Sequence, residues 1–186
     1  MSPRQRVRGA PRRTRRRPAP VSSFAPIAAA DCEILILGSM PGTASLAAIQ
    51  YYAHPRNAFW PILGDIVGFA ADAAYEERLR ALLAARIAVW DVLRSCRRPG
   101  SLDSNIDAAS EIANDFPRFF REHPRLIRVL TNGGGATVCY RRHVLAAGHG
   151  KDLLHLVLPS TSPANASWTF ARKLEAWRAA LLLRSA

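Results

Sequence analysis

One stretch of this chain restricts its fold more than any other: a short apolar run that ends in a glycine-rich turn. Residues 33–37 (EILIL) are apolar after their first position and indicate a buried strand. Residues 38–42 (GSMPG) then break the strand, since glycine and proline punctuate regular structure. Open α/β sheets bind ligands at the carboxyl ends of their strands. We therefore predict a ligand site at this turn.

The loop that follows supports the same prediction. Residues 51–57 (YYAHPRN) bring two phenol rings, an imidazole, a guanidinium and a carboxamide together before Phe59 and Trp60 resume an apolar pattern. Binding and catalytic residues concentrate in loops that a rigid scaffold positions. Such varied polar chemistry between two apolar segments indicates a site rather than a spacer.

The rest of the chain predicts a single α/β domain over residues 26–186. The chain has 186 residues, 49% of them hydrophobic, which is enough to bury one substantial core. Strands that alternate with helices form parallel sheets through right-handed crossovers. The predicted fold is a three-layer sandwich: a four-stranded, mainly parallel sheet with helices on both faces. Strands are predicted at residues 33–37, 87–93, 126–130 and 153–158, helices at 44–50, 57–69, 75–86, 136–147 and 167–184, a helical region interrupted at Pro117 at 107–121, and a polar loop at 94–105.

Four polar or glycine-rich features occupy equivalent places in this predicted sheet. Residues 38–42, Asp91, Asn132 and residues 159–163 each lie at or just after the end of a predicted strand. The carboxyl ends of parallel strands share one edge of the sheet. We therefore expect these features to meet in one crevice.

The positive charge of the chain is concentrated at its beginning. The net charge is +12, and residues 1–20 hold eight of the 26 basic residues and none of the 14 acidic ones, so the remainder carries only +4. Residues 1–25 are rich in arginine and proline and poor in large apolar side chains, a composition typical of a disordered arm. Such an arm attracts phosphate backbones without reading sequence. The alternatives are a translation start placed too far upstream or a solubilising tail.

Cysteine spacing and hydropathy lead to several expectations of absence. Cys32, Cys96 and Cys139 are far apart and show no CxxC spacing, so neither a zinc site nor a disulfide framework is expected, and no metal or organic cofactor is implied. No run approaches the roughly 18 apolar residues that span a bilayer, and the arm lacks the apolar core of a secretory signal. We expect a monomeric cytoplasmic protein without a membrane partner.

Five motifs in order carry a resemblance to a known family. Residues 38–42 (GSMPG) followed by 52–60 (YAHPRNAFW) resemble the first motif region of the uracil-DNA glycosylase superfamily, and most of all its hypoxanthine (deoxyinosine) DNA glycosylase branch. Some members of this superfamily carry an iron–sulfur cluster on four cysteines, and this chain has three. The resemblance spans residues 34–177 and continues at residues 90–93 (WDVL), 100–103 (GSLD), 131–133 (TNG) and 158–163 (LPSTSP).

The resemblance implies two catalytic residues. Hydrolysis of a base–sugar bond passes through an oxocarbenium-like state, which needs a positioned water more than a strong base. By resemblance, Asn57 orients that water, and Ser39 is an accessory, because other branches place a water-activating Asn or Asp at its position. Helix N-capping is the alternative for Asn57. Lys151 and Lys173 lie outside the first motif loop, so an amine-based lyase mechanism is not expected.

A pocket for an extruded base is the second implication. Its predicted lining is Gly38, Met40, Tyr52, Asp91 and Asn132. Tyr52 would stack on the base. An ionised Asp91 would accept the N1–H of hypoxanthine and repel the N1 lone pair of adenine, with Asn132 or a backbone N–H donating to O6. A turn cap after the strand is the alternative for Asp91.

The resemblance also predicts contacts to the flanking DNA. Hydroxyls and backbone N–H groups of residues 159–163 suit phosphate oxygens, although a solvated serine-rich turn is the alternative. Leu158 stands where many relatives have a histidine, and Pro163 and Ala164 are too small to fill a vacated stack well. The predicted DNA-binding residues are Ser160, Thr161, Ser162, His54 and Arg56.

Together these features predict a monofunctional DNA glycosylase of base excision repair. Its expected partner is double- or single-stranded DNA that contains a deaminated base, hypoxanthine first, with uracil or xanthine next. Two alternatives stay open. One is a uracil-specific enzyme of the same superfamily, and the other is a non-catalytic nucleic-acid-binding α/β module that relies on the arginine arm.

Overall fold

The computed structural model describes residues 18–70 and 72–183. Residues 1–17 of the disordered arm predicted over residues 1–25 lie outside this part of the chain. In chain order the elements are β1 Pro20–Ser22, β2 Ile34–Gly38, α1 Thr43–Ala48, α2 Phe59–Val67, α3 Tyr75–Ala84, β3 Ile87–Asp91, β4 Leu93–Arg97, β5 Ile112–Ala113, α4 Phe116–Glu122, β6 Arg128–Asn132, α5 Gly134–Tyr140, β7 Leu154–Leu158 and α6 Phe170–Leu181.

A four-stranded parallel sheet forms the centre of the fold, in the order β3-β2-β6-β7. Strands β2 and β3 are buried at every position, which explains their continuous apolar sequences. The register pairs Gly38 with Asp91 and Asn132 with Leu158, so the four strands end at nearly the same level. Helices flank this sheet, and the predicted fold class is confirmed.

Aromatic side chains join two of the helices beside the sheet. The rings of Phe59 on α2 and Trp177 on α6 meet edge to face with centroids 5.9 Å apart, and both are fully buried. The indole Nε1 of Trp60 donates to the carbonyl oxygen of Tyr51 at 2.8 Å. Phe59 and Trp60 are thus core residues, and they hold the loop of residues 51–57 at the edge of the sheet.

A second, antiparallel sheet was not predicted. Strands β1, β4 and β5 form it in the order β1-β4-β5, with Val21 opposite Cys96. The prediction of a polar loop over residues 94–105 is therefore wrong for its first part, because β4 extends to Arg97 and buries Leu93 and Cys96 although the sequence there looks polar. The predicted arm boundary at residue 25 also needs correction, since Pro20–Ser22 pairs with β4.

The connection from β3 to β6 also differs from its prediction. Instead of one helical region, residues 107–121 contain a short 3-10 turn at Ala108–Ser110, strand β5 and the beginning of α4. Pro117 lies in the first turn of α4, where its missing N–H is tolerated, and does not interrupt a helix. The carboxylate of Asp115 caps this helix by accepting the Arg118 backbone N–H at 3.0 Å.

Helices long and apolar enough to cross a membrane are absent from the part of the chain that the structure describes.

Candidate active site

A cavity of about 690 Å³ opens at the carboxyl edge of the parallel sheet. The ends of β2, β3 and β6 and the segment after β7 all contribute to its wall, as expected for strand ends that share one edge. Arg56 is exposed and does not line the cavity. The other eleven predicted site residues do: Gly38, Ser39, Met40, Tyr52, His54, Asn57, Asp91, Asn132, Ser160, Thr161 and Ser162.

Gly38 allows a carboxylate to approach the floor of the cavity. A Cβ at this position would lie 2.3 Å from Oδ1 of Asp91 and 3.2 Å from the hydroxyl of Tyr52. Only 3% of Asp91 is exposed, and its Oδ2 accepts a hydrogen bond from the Ser23 hydroxyl at 2.8 Å. Glycine is therefore required at residue 38 because a side chain there would displace the carboxylate.

The Asp91 carboxyl group titrates near neutral pH. Burial raises its pKa from 3.8 to about 7, and the charge of nearby Asp103 adds to this rise. The hydrogen bond from Ser23 and the charge of Arg98 act in the opposite direction. A small change of pH around neutrality thus decides whether this side chain only accepts hydrogen bonds or also donates one.

Tyr52 combines an unusual backbone conformation with a buried hydroxyl. Its φ of 55° lies in the left-handed region, which non-glycine residues seldom adopt. The ring stacks on Phe59, with centroids 3.8 Å apart and planes 19° apart. Its buried hydroxyl has no hydrogen-bond partner among the described residues, and burial, with Asp91 nearby, raises the pKa of Tyr52 well above its usual range. This hydroxyl stays protonated and is available as a donor.

Asn57 lies where the loop of residues 51–57 meets α2. Its Oδ1 accepts the backbone N–H of Phe59, the first residue of α2, at 3.0 Å, so the side chain caps a free donor at the start of the helix from the residue before the N-cap, Ala58. Its Nδ2 makes no hydrogen bond to the described residues. A carboxamide oxygen has two lone pairs, and a capping bond uses one of them. The capping and water-binding interpretations of Asn57 are therefore compatible.

Two neighbouring contacts fix this loop. The Nδ1 of His54 accepts the backbone N–H of Arg56 at 3.1 Å, so the imidazole orders the turn before Asn57. The backbone N–H of Ala58 donates to the carbonyl oxygen of Thr161 at 3.0 Å. The loop that carries Asn57 is thereby tied to the segment after β7.

Asn132 holds the opposite wall. Its Oδ1 accepts the backbone N–H of Thr161 at 2.9 Å, and its Nδ2 donates to the Thr161 hydroxyl at 2.9 Å. Next to it, Gly133 has a φ of 92°, and a Cβ there would lie 2.6 Å from Cβ of Ser160. The carboxamide predicted to contact the base is thus largely engaged in positioning the loop of residues 159–163.

Two residues of the site were missed by the sequence analysis. Asp103 lines the cavity, and its Oδ1 accepts the Ser39 hydroxyl at 2.6 Å. Burial raises the pKa of Asp103, while Ser39 and Arg98 lower it.

Arg98 is only 3% exposed and donates to the carbonyl oxygens of Met40 at 3.2 Å, Gly100 at 3.1 Å and Pro41. The pair of arginines before the turn at residues 99–100 could have indicated this role, because a guanidinium has enough donors to bind several carbonyl oxygens.

Replacing Arg98 with methionine is expected to lower the free energy of unfolding by about 2 to 4 kcal/mol, because buried carbonyl oxygens would lose their donors. Urea unfolding measures this change. Arg94→Met is the matched control, since Arg94 is exposed on β4, the strand that ends just before Arg98, and its effect should stay within about 0.5 kcal/mol. Equal effects of the two substitutions would contradict a bracing role for Arg98.

Among the described residues there is no group of three or more His, Cys, Asp and Glu side chains placed to hold a metal ion. Cys32, Cys96 and Cys139 are buried free thiols. Burial raises the pKa of each, to about 11 for Cys32 and about 12 for Cys139, so they are protonated at neutral pH.

Comparison with known proteins defines the class. The family model of the Uracil DNA glycosylase superfamily matches residues 25–181. The chain therefore belongs to this superfamily, and the resemblance predicted from its motifs is confirmed. The predicted class of enzyme, a DNA glycosylase that hydrolyses N-glycosyl bonds, is confirmed with it.

Three proteins of this class illustrate the similarity. A hypoxanthine DNA glycosylase of Methanosarcina acetivorans is 39% identical over 150 residues, which cover 80% of this chain and 90% of that protein. One of Methanosarcina barkeri is 41% identical over 111 residues, 59% of this chain and 69% of that protein. An NMR structure from M. acetivorans, provisionally named a uracil DNA glycosylase, has a TM-score of 0.73 and 35% identity, covering 88% of this chain and 97% of that one.

Proposed function

We propose that this chain is a monofunctional DNA glycosylase of base excision repair that flips out a deaminated base, hypoxanthine first, and hydrolyses its N-glycosidic bond with a water positioned by Asn57. Its substrate would be double- or single-stranded DNA, on which it acts in the cytoplasm as a monomer. The observation that carries the proposal is that Asn57, Tyr52 and Asp91 line one and the same cavity at the sheet edge. The names of two relatives favour hypoxanthine.

The size and composition of the cavity suit one nucleotide. Small-molecule pockets range over about 300 to 1,000 Å³, and this one, at about 690 Å³, has room for a base with its sugar. Its wall carries the Asp91 carboxylate and the Asn132 carboxamide, which would supply an acceptor and a donor for the polar edge of a purine. A base extruded from the stack would enter the cavity and contact Tyr52, whose ring already packs on Phe59.

Selectivity would come from the carboxylate beside Gly38. An ionised Asp91 accepts the N1–H of hypoxanthine, whereas adenine offers a lone pair at N1 and is repelled. The Ser23 hydroxyl supports the ionised form, because it donates to Oδ2 and leaves Oδ1 free for the base. The hydrogen bond to O6 would come from the remaining Nδ2 hydrogen of Asn132 or from a backbone N–H.

Catalysis would rest on Asn57 and on the electrostatics around it. The second lone pair of its Oδ1 would accept a hydrogen from the attacking water, while the bond to Phe59 fixes the direction of the carboxamide. Ser39 has an accessory place, because its hydroxyl is already committed to Asp103. A lyase step is not part of the proposal: Lys173 does not line the cavity, and its Nζ faces the Ser162 carbonyl at 3.4 Å.

Contacts to the DNA backbone would surround the mouth of the cavity. Ser160, Thr161 and Ser162 are held there by the two bonds between Asn132 and Thr161 and by Lys173 of α6, whose Nζ donates to the Ser162 carbonyl oxygen. The N–H groups of Thr161 and Ser162 already donate within the protein, so the hydroxyl hydrogens of Ser160 and Ser162 are the donors that would meet phosphate oxygens. Exposed Arg56 lies on the loop at the other side and would meet a phosphate from outside the cavity. Residues 1–17 would add salt-dependent affinity without sequence preference.

The decisive experiment is a panel of duplexes that each carry one inosine, uracil, xanthine or ordinary adenine, followed by alkaline cleavage of abasic sites. The proposal expects cleavage at inosine first and none at adenine. Cleavage at uracil alone would favour the uracil-specific alternative, which the name of the solved relative supports. Binding without cleavage at any base would favour the non-catalytic module.

A further inference from the structure

Flipping a base leaves a gap in the duplex, and proteins that unstack bases fill such gaps with an apolar side chain. Of the residues after β7 that line the cavity, none has a large apolar side chain. Pro163 and Ala164 are small, and Asn165 is polar, with its Nδ2 donating to the carbonyl oxygen of Ser160. If a wedge exists, it belongs to another part of the cavity rim.

Leu102 is the side chain with the right properties. It is 52% exposed and lines the cavity. Other large hydrophobic side chains are exposed in the described part of the chain, but none of them lines this cavity. A single exposed leucine is ordinary on a protein surface. An exposed leucine at a base-sized cavity is less ordinary, because DNA bound there would cover it.

The neighbours of Leu102 hold it rigidly. The Ser101 hydroxyl accepts the backbone N–H of Thr43 at 2.9 Å and lies 2.9 Å from the Thr43 hydroxyl. These contacts attach Ser101 to the start of α1. On the other side, Asp103 is bound by the Ser39 hydroxyl.

The backbone of the same loop is braced as well. The backbone N–H of Asn105 donates to the carbonyl oxygen of Leu102 at 3.0 Å, and its Nδ2 donates to that of Pro99 at 3.2 Å. The loop is therefore held by hydrogen bonds on both sides of Leu102, while the apolar side chain itself is half exposed. A wedge needs such support because a mobile side chain would lose conformational entropy on insertion.

We propose that Leu102 is the wedge that enters the base stack and occupies the space left by the flipped nucleotide. This inference rests on the proposed glycosylase function and adds a residue to it. Leu102 then acts only on duplex DNA, since an unpaired strand has no stack to hold open. The distinction between duplex and single-stranded substrates is the signature of a wedge.

The test compares Leu102→Ala with wild type on the same inosine-containing oligonucleotide, paired and unpaired, under single-turnover conditions. The variant should lose at least about tenfold in rate on the duplex, because unstacking is no longer compensated. Its rate on the single strand should stay within about twofold of wild type, since flipping an unpaired base costs least. Leu102→Met, which keeps a long apolar side chain, should restore the duplex rate.

Ile49→Ala is the matched control. Ile49 is 76% exposed, lies at the end of α1 and does not line the cavity, so its removal should leave both rates unchanged. A Leu102→Ala variant with equal losses on both substrates, or with no loss on the duplex, would overturn the wedge. Wild-type protein that releases no base from either substrate would instead overturn the glycosylase proposal, and the wedge with it.

Discussion

Replacing Asn57 with serine is expected to lower the single-turnover rate of base release by at least about a hundredfold, the usual scale for a positioned catalytic side chain. Serine is an equally good helix N-cap, so the free energy of unfolding should stay within about 0.5 kcal/mol of wild type. The loss arises because the shorter hydroxyl caps α2 but does not reach the water. Quenched reactions on an inosine duplex, together with urea unfolding, measure both quantities.

Asn57→Ala separates the two roles of this residue. Alanine removes the bond to the Phe59 N–H as well, so it should cost about 1 kcal/mol of stability. Its rate of base release should nevertheless equal that of Asn57→Ser. A serine variant that keeps wild-type activity while the alanine variant loses it would show that Asn57 acts by capping the helix, and the water-positioning role would then be wrong.

The second large effect concerns pH. With the pKa of Asp91 at about 7, kcat/KM on inosine DNA is expected to rise as the pH increases from 6 to 8 and then level off, because the ionised carboxylate accepts the N1–H. Asp91→Asn removes this titration, so its profile should be flat over the same range. The variant should also discriminate less against adenine, since the carboxamide can donate to the adenine N1.

The same carboxyl group affects stability with a defined sign. Its pKa is raised from 3.8 to about 7 on folding, so between these values the folded protein holds a proton that the unfolded chain has lost. Stability therefore falls as the pH rises through this window. Asp91→Asn should fall less over the window, as measured by urea unfolding at several pH values. Parallel curves for the two proteins would contradict the titration, and so would a pH–rate profile that the substitution leaves unchanged.

The parallel sheet could be predicted from the sequence for a simple physical reason. A strand buried on both faces must be apolar throughout, and residues 34–37 and 87–90 show this in their composition alone. Once the strands are known, the parallel arrangement places their carboxyl ends at one edge. Gly38, Asp91 and Asn132 could therefore be brought together on paper before any side chain was placed.

The second sheet could not be predicted in this way. Strand β4 has the sequence LRSCR, in which only Leu93 and Cys96 are buried, and its partner Pro20–Ser22 lies in a stretch that composition marks as unstructured. Such strands are stabilised by pairing across long sequence separations and not by their own residues. Local patterns carry no signal of that pairing.

Side-chain networks were hidden for the same reason. The bond from Ser39 to Asp103 joins residues 64 positions apart, and the carboxamide of Asn132 finds Thr161 29 positions away. The sequence indicated which polar residues reach the cavity, but not which of them are already paired there. Asp103 and Arg98 were missed, and Asn132 was given the freedom to contact a base that its bonds to Thr161 largely remove.

The most direct measurement of the central claim is the release of free base from an inosine-containing duplex by excess enzyme, followed by mass spectrometry. The account predicts one equivalent of free hypoxanthine per lesion and a strand that stays intact until alkali is added. The Asn57→Ser variant should release almost none in the same time. Tight binding of the duplex without any free hypoxanthine, or strand cleavage before alkali, would contradict it.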